Sequence, residues 1–139
     1  MPADRRVGLG IDAQRLERGR KRLFSLVGQL AEAYSRRSGR PYLTKKLATI
    51  IDVALAQFAA EEAAMTEAGY AHLASHRAAH GEVADHLTEI AADYRVDARD
   101  FIIAEFAEFF RDWLVLHGAA HDAPFLACSG TGANWARCA

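Results

Sequence analysis

Turn-forming residues are sparse in this chain, and their placement divides it into four stretches of helical length. The interruptions are Ser38-Gly39-Arg40-Pro41, then Gly69, then Val96-Asp97, then Pro124. The first stretch runs from about Asp12 to Arg37, and Leu23, Leu26, Val27, Leu30 and Tyr34 recur in it at three-and-four spacing. The second opens near Pro41, a residue suited to a first helical turn. It continues through Leu43, Leu47, Ile50, Ala54, Phe58 and Met65 until Gly69 ends it. The third covers about Ala71 to Arg95, with Leu73, Val83, Leu87, Ile90 and Tyr94 on one face. The fourth is expected to start at Asp97 as N-cap and to turn Phe101, Ile102, Phe106, Phe109, Trp113 and Leu114 inward.

Four amphipathic helices with short connections imply antiparallel neighbours, so the expected fold is an all-α, up-down-up-down four-helix bundle. The chain has 139 residues, half of them apolar, which suffices for one core. The bundle is expected over residues 1–126, followed by a loosely structured tail over 127–139. Cys128 and Cys138 lie in that tail with no partner at zinc-finger spacing, and a cytosolic chain would keep them reduced.

Seventeen basic residues against eighteen acidic ones leave no net field to draw the chain toward nucleic acid or lipid. No apolar run approaches the roughly 20 residues that span a bilayer. The opening MPADRRVGLG has no apolar signal core, so the expected location is cytoplasmic. Arg15, Arg18, Arg20, Lys21 and Arg22 make the first helix locally basic. Such a run reads as a solvated face, with an acidic or phosphate partner as the alternative.

The chemistry is concentrated in the histidines. All six lie in the second half of the chain. His72, His76 and His80 are spaced by four and so share a face of the third helix, and His117 and His121 repeat that spacing on the fourth. Metal sites in bundles are built from inward side chains on facing helices. Imidazole with carboxylate, and no thiolate, is a ligand set for iron, zinc or manganese. Glu61, Glu62 and Asp122 are the carboxylates within reach on the second and fourth helices.

These residues also carry a family likeness. Gln57-Phe58-Ala59-Ala60-Glu61-Glu62, then Met65, then Gly69-Tyr70, then His76 and His80, resembles the hemerythrin family, particularly its bacterial members. The corresponding family pattern is His-Phe-x-x-Glu-Glu, Met, Gly-Tyr-Pro, His-x-x-x-His. Trp113-Leu114-Val115-Leu116-His117 through Asp122 is similar to the family's Trp-Leu-x-x-His-Ile-x-x-x-Asp, and Val7-Gly8 with Ile11-Asp12-Ala13-Gln14 resembles its opening. The likeness covers nearly the whole chain before Ala127.

The resemblance implies a bundle that holds two irons bridged by a Glu and an Asp, with O2 bound at one of them. Glu61 and Asp122 match the bridging carboxylates, and His76, His80 and His117 match the three histidines of one iron. The other half departs from the pattern. Gln57 stands where the family has a histidine, and so does Arg20, or Arg15 in an alternative alignment. An arginine stays protonated and does not ligate. A mononuclear iron site is therefore favoured over a di-iron one, with O2 or NO as ligand for sensing, scavenging or redox response. The alternatives are a full di-iron O2 binder, an enzyme that activates O2 or peroxide, and a regulatory module whose metal is vestigial.

Two carboxylates deprived of a dication would leave charge uncompensated, at a cost of about 3–5 kcal/mol. Arg20 is expected to offset it by pairing with Glu61 or Asp122, the alternative being an Arg20 that reaches out to solvent. Gly118 replaces the family's bulky aliphatic residue. It leaves a cavity, a wider channel or a bend in the helix as possible consequences. His72 and His121, each one turn from a matched ligand, are candidates for the pocket or for orienting the ligands.

Overall fold

In the computed structural model the chain forms four helices, and the structure describes residues 2–97 and 99–118, with the stretch 2–13 by its backbone alone. They are α1 (Pro2–Ser35), α2 (Arg40–Ala68), α3 (Leu73–Val96) and α4 (Asp100–His117). Short connections follow α1 at residues 36–39 and α2 at residues 69–72, and α4 begins soon after α3 ends at Val96. α1 packs on α2 and α4, and α3 packs on the same two helices, which gives the expected bundle. No helix among the described residues is long and apolar enough to cross a membrane.

The helix ends follow from local chemistry. α2 stops where Gly69 takes the left-handed conformation (φ 67°) and its N–H turns back to the carbonyls of Met65 and Thr66, a close that favours glycine. Pro41 sits in its first turn, as expected. Two boundaries differ from the sequence reading. α1 begins at Pro2, ten residues earlier, in a stretch where Gly8 and Gly10 interrupt any apolar stripe. Asp97 closes α3, donating its N–H to the carbonyl of Asp93, and the N-cap of α4 is Arg99.

The main core is filled by Leu23, Val27 and Leu30 of α1, Leu47, Ile50 and Phe58 of α2, Val83, Leu87 and Tyr94 of α3, and Ile103, Phe106, Phe110 and Leu114 of α4. On α4 the expected Phe106 and Leu114 are buried and Ile102, Phe109 and Trp113 pack against the core, but the most buried face is turned toward Ile103 and Phe110. Ile103 and Phe110 are fully buried, whereas Phe101 is half exposed. A second, smaller apolar cluster, Leu16, Ala64, Met65 and Tyr70, lies beyond the main core. Along α2 the buried residues Phe58, Glu61 and Met65 lead from one cluster to the other, so a polar layer is enclosed between two apolar ones.

Candidate metal centre

The polar layer consists of Glu61, His76, His80 and His117, the buried polar or charged side chains among the described residues. Each owes its place to helical spacing. Glu61 lies one turn past Gln57 on α2, His76 and His80 are one turn apart on α3, and His117 is the last residue of α4. Their exposures are 5%, 1%, 3% and 5%. Four side chains with such polar tips do not share a dry interior unless something satisfies them together.

The tips converge. Glu61 Oε1 is 3.1 Å from His76 Nε2 and 3.1 Å from His80 Nε2. His117 Nε2 is 3.1 Å from His80 Nε2 and 3.3 Å from His76 Nε2. One donor atom from each residue lies within 4.8 Å of all the others. A centre equidistant from four atoms so spaced, as a tetrahedron or a square, would be about 1.9–2.3 Å from each, a range that includes the length of a metal–imidazole bond, about 2.0–2.1 Å.

Proton accounting points the same way. His80 Nδ1 lies 2.9 Å from Glu62 Oε2, and a carboxylate oxygen only accepts, so Nδ1 carries the proton. In neutral His80 the Nε2 then presents a lone pair. That lone pair faces Glu61 Oε1, itself an acceptor, and the imidazole nitrogen of His117. Two acceptors 3.1 Å apart in a dry interior, His80 Nε2 and Glu61 Oε1, are satisfied by a cation between them, either a proton or a metal ion. The donor set fits a metal ion.

The electrostatics of the metal-free site reflect the proton alternative. Burial alone would raise the Glu61 carboxyl, but hydrogen bonds from His76 and His80, the charge on His80 and the Gln57 amide outweigh it and hold Glu61 at about 2. His80 is moved the other way. Burial would lower it, but its hydrogen bonds to Glu61 and Glu62 and the charges of those carboxylates raise it above the ordinary histidine value.

Aromatic rings fix the imidazoles from outside. Phe58 stacks on His80 with centroids 4.2 Å apart and planes 13° from parallel, and Trp113 stacks on His117 at 4.2 Å and 11°. Neither aromatic residue stood out as a site residue in the sequence, where Phe58 and Trp113 read as core, and Glu62 stood there only as a carboxylate within reach.

The other sequence candidates fall in different places. His72 is exposed at the N-cap of α3, with its ring edge-on to Tyr70 and outside the cluster. His121 and Asp122 lie outside the described residues, as do Cys128, Cys138 and the rest of the tail. Gln57 Nε2 donates to Glu61 Oε2 at 2.9 Å and to the carbonyl of Leu16 at 2.8 Å, so the amide covers the carboxylate oxygen that faces away from the histidines. Among the described residues the ion-pair partner of Arg20 is Glu17, at 3.4 Å, rather than Glu61, and the solvent-reaching alternative is only partly met, since its side chain is one-quarter exposed. Its guanidinium lies against the backbone of Gly118. The space opened by the glycine at that position is filled by Arg20. Arg15 is exposed.

The chain is similar to bacteriohemerythrin from Methylococcus capsulatus (strain ATCC 33009 / NCIMB 11132 / Bath), with 28% identity over 97 residues, which is 70% of this chain and 72% of that relative. No family model matches the chain, and no solved structure matches it.

Proposed function

The chain is hemerythrin-like, a relative of bacteriohemerythrin, and from that premise we propose that it binds one iron ion at this centre and meets a diatomic ligand such as O2 or NO there. Glu61, His76, His80 and His117 would hold the ion, with Asp122 as a further carboxylate. The observation that carries the reading is the convergence of three imidazole Nε2 atoms and Glu61 Oε1 to within hydrogen-bonding separations, with His80 held in the tautomer that turns its lone pair inward. A set of imidazole and carboxylate ligands without thiolate suits iron.

Iron held there would supply redox chemistry and a place for a small ligand to bind. The protein supplies the rest. Glu62 keeps the proton on His80 Nδ1, Phe58 and Trp113 hold two rings in place, and the two apolar clusters exclude water from the donors. Gln57 and Arg20 stand where the family's remaining histidines would be, which favours one ion over two. A reversible carrier drawing one electron from each of two irons lacks its second electron here, so sensing, scavenging or redox response fits better than storage.

The test is a metal count on protein loaded anaerobically with ferrous iron, followed by absorption spectra with NO and with O2. About one iron per chain, with spectra that change on ligand addition, is the expected result. Protein with no bound metal defeats the proposal, and two irons per chain defeat its single-ion part.

A further inference from the structure

Gln57 occupies a notch in α1 that exists because residue 19 is glycine. A Cβ at Gly19 would lie 2.7 Å from Gln57 Cδ and closer still to its amide oxygen. Seated there, Gln57 spends both amide protons, one on the carbonyl of Leu16 and one on Glu61 Oε2. Both acceptors lack hydrogens, so the orientation of the amide is fixed by chemistry. Glu61 is in turn divided, with Oε1 facing His76 and His80 and Oε2 capped by a neutral donor.

We propose that Gln57, seated by Gly19, is a positioning residue that limits Glu61 to one metal-facing oxygen. The inference rests on the reading of this centre as a metal site and adds the element that sets how its carboxylate coordinates. Two residues from different helices act as one unit. Gly19 supplies the space, and Gln57 transmits it to the ligand. The atoms a Cβ would strike are the far end of a flexible side chain. Gly19→Ala therefore moves Gln57 without breaking the bundle, and alanine is the better helix former. That separates effects on the ligand from effects on the fold.

The experiment is a cobalt(II) titration, followed by visible absorption, of the full chain and of Gly19→Ala, Gln57→Ala and the double variant. Thermal melting of each metal-free protein serves as the fold control. Partners that orient metal ligands are worth roughly 10–100-fold in affinity. Each single variant is expected to weaken cobalt binding by about that factor, and the double variant no further than Gln57→Ala alone, because Gly19 acts only through Gln57. The cobalt spectrum of Gln57→Ala should also shift as Glu61 changes its mode of binding. Unchanged affinity in Gln57→Ala, or losses that add in the double variant, overturns the inference while leaving the metal site intact. A full chain that binds no cobalt overturns both.

Discussion

The guanidinium of Arg20 fills the space that a side chain at position 118 would need. A Cβ built on Gly118 would stand 2.6 Å from Arg20 Nε and 2.7 Å from Arg20 Cζ. The backbone of Gly118 is ordinary right-handed helix (φ −57°, ψ −44°), open to any residue. Space, not conformation, is what the glycine provides. Residues 20 and 118 are thus two halves of one adjustment between α1 and the end of α4.

A double-mutant cycle exposes that dependence. With Arg20 present, Gly118→Ala drives the guanidinium out, and the usual benefit of replacing a helical glycine by alanine is expected to vanish or reverse. In the Arg20→Ala background the same change should stabilise by about 0.5–1 kcal/mol. The coupling, read from urea unfolding midpoints, should lie at about 0.5–3 kcal/mol. Equal effects of Gly118→Ala in the two backgrounds would dissolve the relationship.

How much of this was legible beforehand depends on which contacts are local. The stripe of α2 was readable because Leu43, Leu47, Ile50, Ala54, Phe58 and Met65 follow one helical face, and all of them are buried. α4 was only partly readable because its apolar residues go nearly all the way round. With Phe101, Ile102, Ile103, Phe106, Phe109 and Phe110 to choose from, periodicity alone did not exclude Phe101 or favour Ile103 and Phe110. His76, His80, His117 and Glu61 were readable as a group from spacing and family likeness, and the structure brings them together. The fit of Gln57 against Gly19 and of Arg20 against Gly118 was not readable, since each joins two helices through an absent side chain.

The Glu62–His80 contact gives a second prediction. Glu62 Oε2 accepts from His80 Nδ1 at 2.9 Å and so keeps the inward nitrogen free to ligate. Glu62→Gln retains shape but offers an amide that can also donate, which loosens the choice of tautomer. Metal affinity is expected to fall by roughly 10–100-fold with little change in helical content. Cobalt titration alongside circular dichroism checks it. Affinity equal to that of the unaltered chain would reduce Glu62 to a surface carboxylate.

The pH dependence of the metal-free protein follows from the two opposed shifts. Glu61 is lowered from 4.5 to about 2, so its stabilisation is present above 4.5 and is lost as pH falls from there toward 2. His80 is raised above 6.5, so its share is present below 6.5 and is lost as pH climbs through the raised value. Thermal melting should therefore be highest between about pH 4.5 and 6.5 and fall on both sides. In His80→Ala the alkaline decline should disappear. A melting temperature that keeps rising from pH 6 to 8 would contradict the proton bridge between His80 and Glu61.

Phe58 tests whether core and site are separable. Its ring is 4% exposed, lies in the main core and stacks on His80 at 4.2 Å, so its removal leaves a cavity against a ligand. Phe58→Ala is expected to cost about 3–5 kcal/mol in the metal-free protein, a large share of a small domain's stability. Part of that loss returns on adding metal, because an ion that binds only the folded chain stabilises it by RT ln(1 + [L]/Kd). The recovery should nevertheless be smaller than the gain metal gives the unaltered chain, since a loosened His80 binds less tightly. Urea unfolding of both proteins with and without cobalt measures the difference directly. Equal gains from metal would mean that Phe58 supports the core alone and that the imidazole of His80 is held by Glu62 without it.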